Sequence, residues 1–232
     1  MKINDIDIST FGATQLTVDI QTANINIVND WLRKSLLPVF LGSYTDFLVI
    51  KVQLLFKGAS RDEILLNISN LVSNFLSEVD LELDGYSRNY KAMLTSKTTN
   101  KTISPFAYTL DLELAGYCYG DEIAETVNRL ASKTINVAGN QNTPAIVEIT
   151  PSTNLIDIVI AGLDEDTMTI KNLTAGNKVI IDGEAGTILE NGANKFTDFD
   201  GWEFPRLVPG ANTITFSQVN CDVNIKYKPR YI

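Results

Sequence analysis

From residue 134 onward the chain is a succession of short apolar alternations broken by turn residues, and few folds accommodate that pattern. TINV, AIVEIT, LIDIVI, TMTIKN, NKVIID, GTILEN, NTITFS and DVNIKYK follow one another between residues 134 and 232. Alternation sends every second side chain to the same face of a strand. Asp182-Gly183, Asn191-Gly192 and Pro209-Gly210 supply turns between the segments. About eight short strands so closely spaced read as a jelly-roll-like β-sandwich. No period of fixed length repeats, which excludes a solenoid.

The first half reads differently. In DFLVIKVQLLF, Leu48, Ile50, Val52, Leu54 and Phe56 share one face, with Lys51 and Gln53 on the other. Gly58 ends that strand, and Ser60 stands three residues before Glu63 as a capping box. Ile64, Ile68, Leu71, Val72, Phe75 and Leu76 then form the apolar stripe of an amphipathic helix over 61–76. Strands follow at VDLELDG, RNYKAMLTS and PFAYTLDLEL. Phe106, Tyr108, Leu110, Leu112 and Leu114 mark the buried face of the last, and the polar stretch 97–104 joins the last two. Residues 118–133 read as a short helix or an irregular connector. The expected organisation is therefore mainly β: an α+β domain over 1–133, with a sheet and one helix, and a β-sandwich domain over 134–232.

A length of 232 residues with 44% hydrophobic and 20% charged residues suits two globular cores. The formal net charge is −9, with 12 basic and 16 acidic residues in 1–133 and 7 and 12 in 134–232. Neither half is a basic module for gripping nucleic acid or an anionic membrane. Lys226, Lys228 and Arg230 are locally basic and read as a solvated strand edge. The N-terminus MKINDIDIST lacks a signal-peptide core, and no apolar run approaches the ~18 residues needed to span a bilayer, so no membrane insertion is expected. Cys118 and Cys221 lack metal-site spacing and read as buried, reduced thiols.

The chain contains no histidine. That removes Ser-His and Cys-His nucleophiles, His-ligated zinc and imidazole acid–base chemistry together. The remaining catalytic option is a carboxylate pair. Asp164, Glu165 and Asp166 in GLDEDT read as a solvated turn, and Asp80, Glu82 and Asp84 alternate outward on a strand. Neither neighbourhood is apolar enough to split two carboxyl pKa values. EF-hand spacing and a phosphate-cradling glycine loop are absent, and GEAG at 183–186 reads as a hairpin turn. The expectation is no enzyme, no metal and no cofactor.

One stretch, GWEFPRLVPGANTITF at 201–216, admits two readings. Trp202, Glu203 and Arg206 form the candidate contact of a carbohydrate-binding module, since aromatic faces stack on sugar rings. Against this, Trp202 reads as an aromatic plug over the sandwich core. Pro205 and Pro209 fix φ and lack N–H donors, so residues 204–210 cannot be a regular inner strand and read as an extended crossing.

The segment VIIDGEAGTILENGANKFTDFDGWEFPRLVPGANTITFS, followed by NIKYKPRYI, resembles the C-terminal part of the distal tail proteins (Dit) of long-tailed, siphovirus-type bacteriophages and prophages. Residues 47–115 follow the order of elements in that family's ring-forming domain. The resemblance implies a virion structural protein: a hexameric ring formed by 1–133, with a galectin-like sandwich over 134–232. It implies a baseplate hub between the tail tube protein and the tail-tip protein, with receptor-binding or baseplate proteins at the periphery. DNA would pass through the central channel without specific binding, in a tail assembled in the host cytoplasm.

Overall fold

In the computed structural model, which describes residues 1–232, the alternation in residues 48–56 becomes the interior of an antiparallel sheet. The first part of the chain comprises β1 (Lys2–Ile3), β2 (Ile6–Asp7), β3 (Ala13–Gln21), β4 (Ile25–Asp30), β5 (Val39–Thr45), β6 (Leu48–Lys57), α1 (Arg61–Val72), β7 (Val79–Glu82), β8 (Asn89–Lys101) and β9 (Ala107–Tyr119). The main sheet runs β2-β1-β7-β8-β9-β6-β3, while β4 and β5 pair only with each other. Between β6 and β9 the register sets Ile50 opposite Leu114, Val52 opposite Leu112 and Leu54 opposite Leu110, so one face is continuously apolar and buried. The other face is polar: Gln53 Nε2 donates to Asp111 Oδ1 at 2.8 Å, and Asn100 Nδ2 donates to Asp111 Oδ2 at 2.8 Å. Gly116 lies where β9 crosses β8 opposite Ala92, and a Cβ there would stand 2.2 Å from the Lys91 carbonyl oxygen.

Helix α1 covers the apolar face. Ser60, in an extended conformation, accepts the Glu63 N–H at 3.2 Å, and Glu63 Oε2 accepts the Ala59 N–H at 2.8 Å. The capping box thus closes one residue further out than the reciprocal pattern requires. Ile64, Ile68, Leu71 and Phe75 are buried against the same subunit's β6 and β9, so the stripe is satisfied within its own chain. Leu76, read as part of that stripe, is instead exposed. A 3₁₀ turn over Ser73–Phe75 breaks the 3.6-residue period and swings it away. Phe106 also departs from expectation: it precedes β9 and is exposed, because β8 extends to Lys101 and the turn to β9 occupies 102–106.

The chain divides into two units, Met1–Tyr119 with Ile232, and Gly120–Tyr231. The division falls ahead of the boundary expected near 133. The second unit contains β10 (Ile123–Thr126), β11 (Ser132–Val137), β12 (Thr143–Pro151), β13 (Leu155–Ala161), β14 (Met168–Leu173), β15 (Val179–Asp182), β16 (Thr187–Glu190), β17 (Ala193–Asn194), β18 (Phe199–Asp200), β19 (Arg206–Leu207), β20 (Gly210–Phe216) and β21 (Cys221–Tyr227). Residues 123–126 are a strand and not the short helix or irregular connector read from sequence. Their backbone pairs residue for residue with Asn224–Tyr227, and that ladder outweighs a weak helical spacing.

One sheet of this unit runs β10-β21-β12-β15-β16-β17 with β19 beside β12, and the other runs β11-β20-β13-β14-β18. Val147, Ile149 and Ile225 from the first meet Ile158, Ile170 and Ile214 from the second in a fully buried core. Lys226 is not on a solvated edge, because β21 lies between β10 and β12, whereas Lys228, past the end of that strand, is exposed. Lys226 Nζ donates to Glu148 Oε1 at 2.7 Å, and Lys178 Nζ reaches Glu148 Oε2 at 3.3 Å. No helix of the chain is long and apolar enough to cross a membrane.

Two outcomes follow from these contacts. Ile64→Ala should cost about 2–5 kcal/mol in denaturant unfolding, whereas Leu76→Ala should stay within about 0.5 kcal/mol. The hydrogen bond from Lys226 and then that from Lys178 hold the Glu148 carboxyl below its ordinary value of 4.5. Its stabilisation is complete above the unfolded-state pKa and is lost as pH falls through the lowered folded value. Glu148→Gln should therefore destabilise by about 1 kcal/mol at pH 7, with the difference from wild type vanishing in thermal unfolding well below pH 4.5.

Candidate functional site

The segment 199–216 is held by its neighbours at almost every residue. Pro205 O accepts the Ala145 N–H at 2.9 Å, and Gly183 N–H donates to Ala145 O at 2.9 Å. A Cβ on Gly183 would stand 2.2 Å from the Pro205 carbonyl oxygen, so the Asp182-Gly183 turn and the proline crossing come together only with glycine at that position. The crossing makes just two ladder pairs, Leu207 with Thr143 and Arg206 with Pro144. Asn212 then closes the Val208–Gly210 turn: its Oδ1 accepts the Val208 N–H at 2.9 Å, and its Nδ2 donates to Val208 O at 2.8 Å and Gly210 O at 3.0 Å. Ile214 and Phe216 point into the core while Thr213 and Thr215 point out.

Trp202 is not a plug. It is 89% exposed, and Phe204 is the residue that packs inward, stacked on Phe199 at 6.0 Å between ring centroids and 6.3 Å from Phe196. The turn bearing those two rings is fixed by buried Lys195, whose ammonium donates at 2.9 Å to each of Glu190, Asp198 and the Asn172 carbonyl. The ammonium and Asn172 hold the Asp198 carboxyl below the usual range.

Arg206 and Glu203 do come together: Arg206 Nη1 lies 2.8 Å from Glu203 Oε2. The same guanidinium meets Asp164, with Nη2 2.7 Å from Oδ1. Asp164 is thus not part of a solvated turn. Its side chain is only 5% exposed, because Arg206 draws it inward, while Glu165 and Asp166 remain at the surface. The sequence carried no signal for this pairing, since Asp164 and Arg206 meet only through the fold.

The acids alternating on VDLELDG are individually occupied. Asp80 accepts from Tyr119 Oη at 2.8 Å, and Glu82 pairs with Lys2 at 2.7 Å. No three His, Cys, Asp or Glu side chains converge where they could hold a metal ion. Cys118 and Cys221 are free and buried, and burial pushes both thiols up. Neither is an activated nucleophile.

A second surface was not read from sequence. The β4–β5 ribbon joins no other strand, and apolar side chains cover it on both faces. The register puts Ile25, Ile27 and Phe40 on one face and Val28, Val39 and Tyr44 on the other, with Leu41 in a bulge, and Leu36 at the tip is 93% exposed. Ile25, Ile27 and Trp31 are exposed as well. The available signal was WLRKSLLPVF: an apolar run around a turn, where polar residues normally stand.

A family profile described as siphovirus-type tail component, C-terminal domain, matches residues 138–231. Among solved structures, the Dit protein of phage SPP1, a paradigm of the hub adsorption apparatus in phages infecting Gram-positive bacteria, is similar at 13% identity. Its TM-score is 0.75, and the match covers 99% of this chain and 98% of that one. A chain of the phage P2 baseplate, in its activated conformation with calcium, is similar at 12% identity and TM-score 0.55, covering 91% and 90%. The same baseplate with strontium gives 12% and 0.55, covering 96% and 92%. No curated protein matches the sequence.

Proposed function

We propose, from the match of residues 138–231 to the profile of a siphovirus-type tail component's C-terminal domain, that the protein is the distal hub of a phage tail. In this reading six copies form a ring, one face of which docks on the tail tube and the other on the tail-tip protein. The periphery carries receptor-binding or baseplate proteins, and DNA passes through the central hole. The role is architectural, without catalysis.

The observation that carries the reading is the β4–β5 ribbon. An isolated two-stranded ribbon is marginal in water, and exposed apolar area on both faces marks an interaction surface. A ring of like copies needs two unlike surfaces on each protomer. The ribbon serves as one. For the other, the sheet offers open edges at β3 and at β8 beyond Ala92, where β7 stops. End-to-end agreement with a hub protein's fold supports the same reading. So does the net charge of −9, which suits a passage where DNA must slide without being held.

The test is the mass of the particle in solution. Multi-angle light scattering of the full chain should give six times the 25.6 kDa protomer. Leu37→Asp with Phe40→Asp, both at exposed positions, should shift the equilibrium toward monomer by at least tenfold while leaving circular dichroism and the thermal midpoint of the monomer unchanged. A variant that assembles as the wild type does would contradict the reading.

A further inference from the structure

Two apolar surfaces of the first unit lack cover, and they match in length and in charge. The first is the ribbon. Its more exposed face carries Ile25 at 62%, Ile27 at 63% and Phe40 at 65%, against 43% for Val28 and 40% for Val39 on the other face. The second is the flank of α1. Ile64, Ile68, Leu71 and Phe75 are turned to the sheet, whereas Leu65 and Val72, at i and i+7, lie on a line beside that buried stripe. Leu65 is 47% exposed, Val72 is half-buried, and Leu76, past the end of the helix, is 89% exposed.

From Leu65 to Leu76 the flank runs ~16 Å at the rise of a helix. The 6 residues of β4, Ile25–Asp30, run ~20 Å as a strand. The ends carry opposite charge. Arg33 and Lys34 are exposed at the tip of the ribbon, and the exposed first turn of α1 carries Asp62 and Glu63 beside Arg61. With its tip on that turn, the ribbon sets two cations at the acidic end and brings Ile25 to the Leu76 end.

Both surfaces belong to one chain, yet in a single copy both stay open. Each copy thus offers one ribbon and one flank, unlike surfaces in equal number, which is what head-to-tail closure consumes. The open sheet edges do not meet this need, because an edge binds a strand through its backbone and the ribbon's unmet demand is on its apolar face.

We propose that the Ile25, Ile27 and Phe40 face of the ribbon lies along the α1 flank of the neighbouring copy, from Leu65 to Leu76, with Arg33 and Lys34 at the Asp62 end. The inference rests on the ring reading and adds to it the seat of the ribbon.

Cysteine pairs test the seat directly, since the native Cys118 and Cys221 are buried and single-cysteine variants give the background. On oxidation of the full chain, Leu37→Cys with Leu65→Cys, and Ile25→Cys with Leu76→Cys, should each give a ladder of linked chains on a non-reducing gel. The crossed pairs, Leu37→Cys with Leu76→Cys and Ile25→Cys with Leu65→Cys, should not. Leu65→Asp with Leu76→Asp should weaken assembly at least tenfold in light scattering, with circular dichroism unchanged. Arg33→Glu with Lys34→Glu should weaken it several-fold, and Asp62→Lys added to that pair should recover part of the loss. If Leu65→Asp with Leu76→Asp assembles as the wild type does, or the crossed pairs link as well as the matched ones, the seat is overturned and the ring stands. A ring with no linked ladder assigns the ribbon to a different tail protein and likewise overturns the seat. A wild-type chain that stays monomeric overturns the seat and the ring together.

Discussion

Each sheet of the two cores has one apolar face, and the requirement that water be kept from apolar surface organises the chain. In the first unit α1 provides the cover, laying Ile64, Ile68, Leu71 and Phe75 over β6 and β9. In the second, two sheets cover each other, with Val147 and Ile225 meeting Ile158 and Ile214. The β4–β5 ribbon obeys the same requirement but has no cover within its own chain. The hydrophobic term that closes the two cores is the one that leaves the ribbon in want of a neighbour.

Where the constraint acts locally, the sequence was legible. Period-two alternation located β6, β7, β9 and, in the second unit, β11 to β16, β20 and β21, and the Ser60–Glu63 spacing located the start of α1. Where tertiary contacts decide, it was not. The break at Ser73–Phe75 that exposes Leu76 is a matter of how the helix leaves the sheet. The strand at Ile123–Thr126 exists because Asn224–Tyr227 offers it a ladder. Lys226 looked like edge chemistry until Glu148 arrived from the neighbouring strand.

The loop 201–210 shows both cases. Its prolines announced an extended crossing, and the crossing is there. The inward aromatic is Phe204 and not Trp202, a choice that period and composition leave open because both rings are apolar and two residues apart. Likewise the DED turn looked like three solvated acids, and only the fold distinguishes Asp164, drawn under Arg206, from its two neighbours. Polar pairings across 42 residues of sequence have no local signature.

The central claim is that the ribbon's missing cover is another copy of the same chain. Electron microscopy of the purified full-length protein tests it most directly. The account predicts a six-fold ring with a central opening, in which density for residues 25–45 of each copy lies against the first unit of the next. Single protomers, or a ring in which the ribbons stand free in solvent, would contradict it.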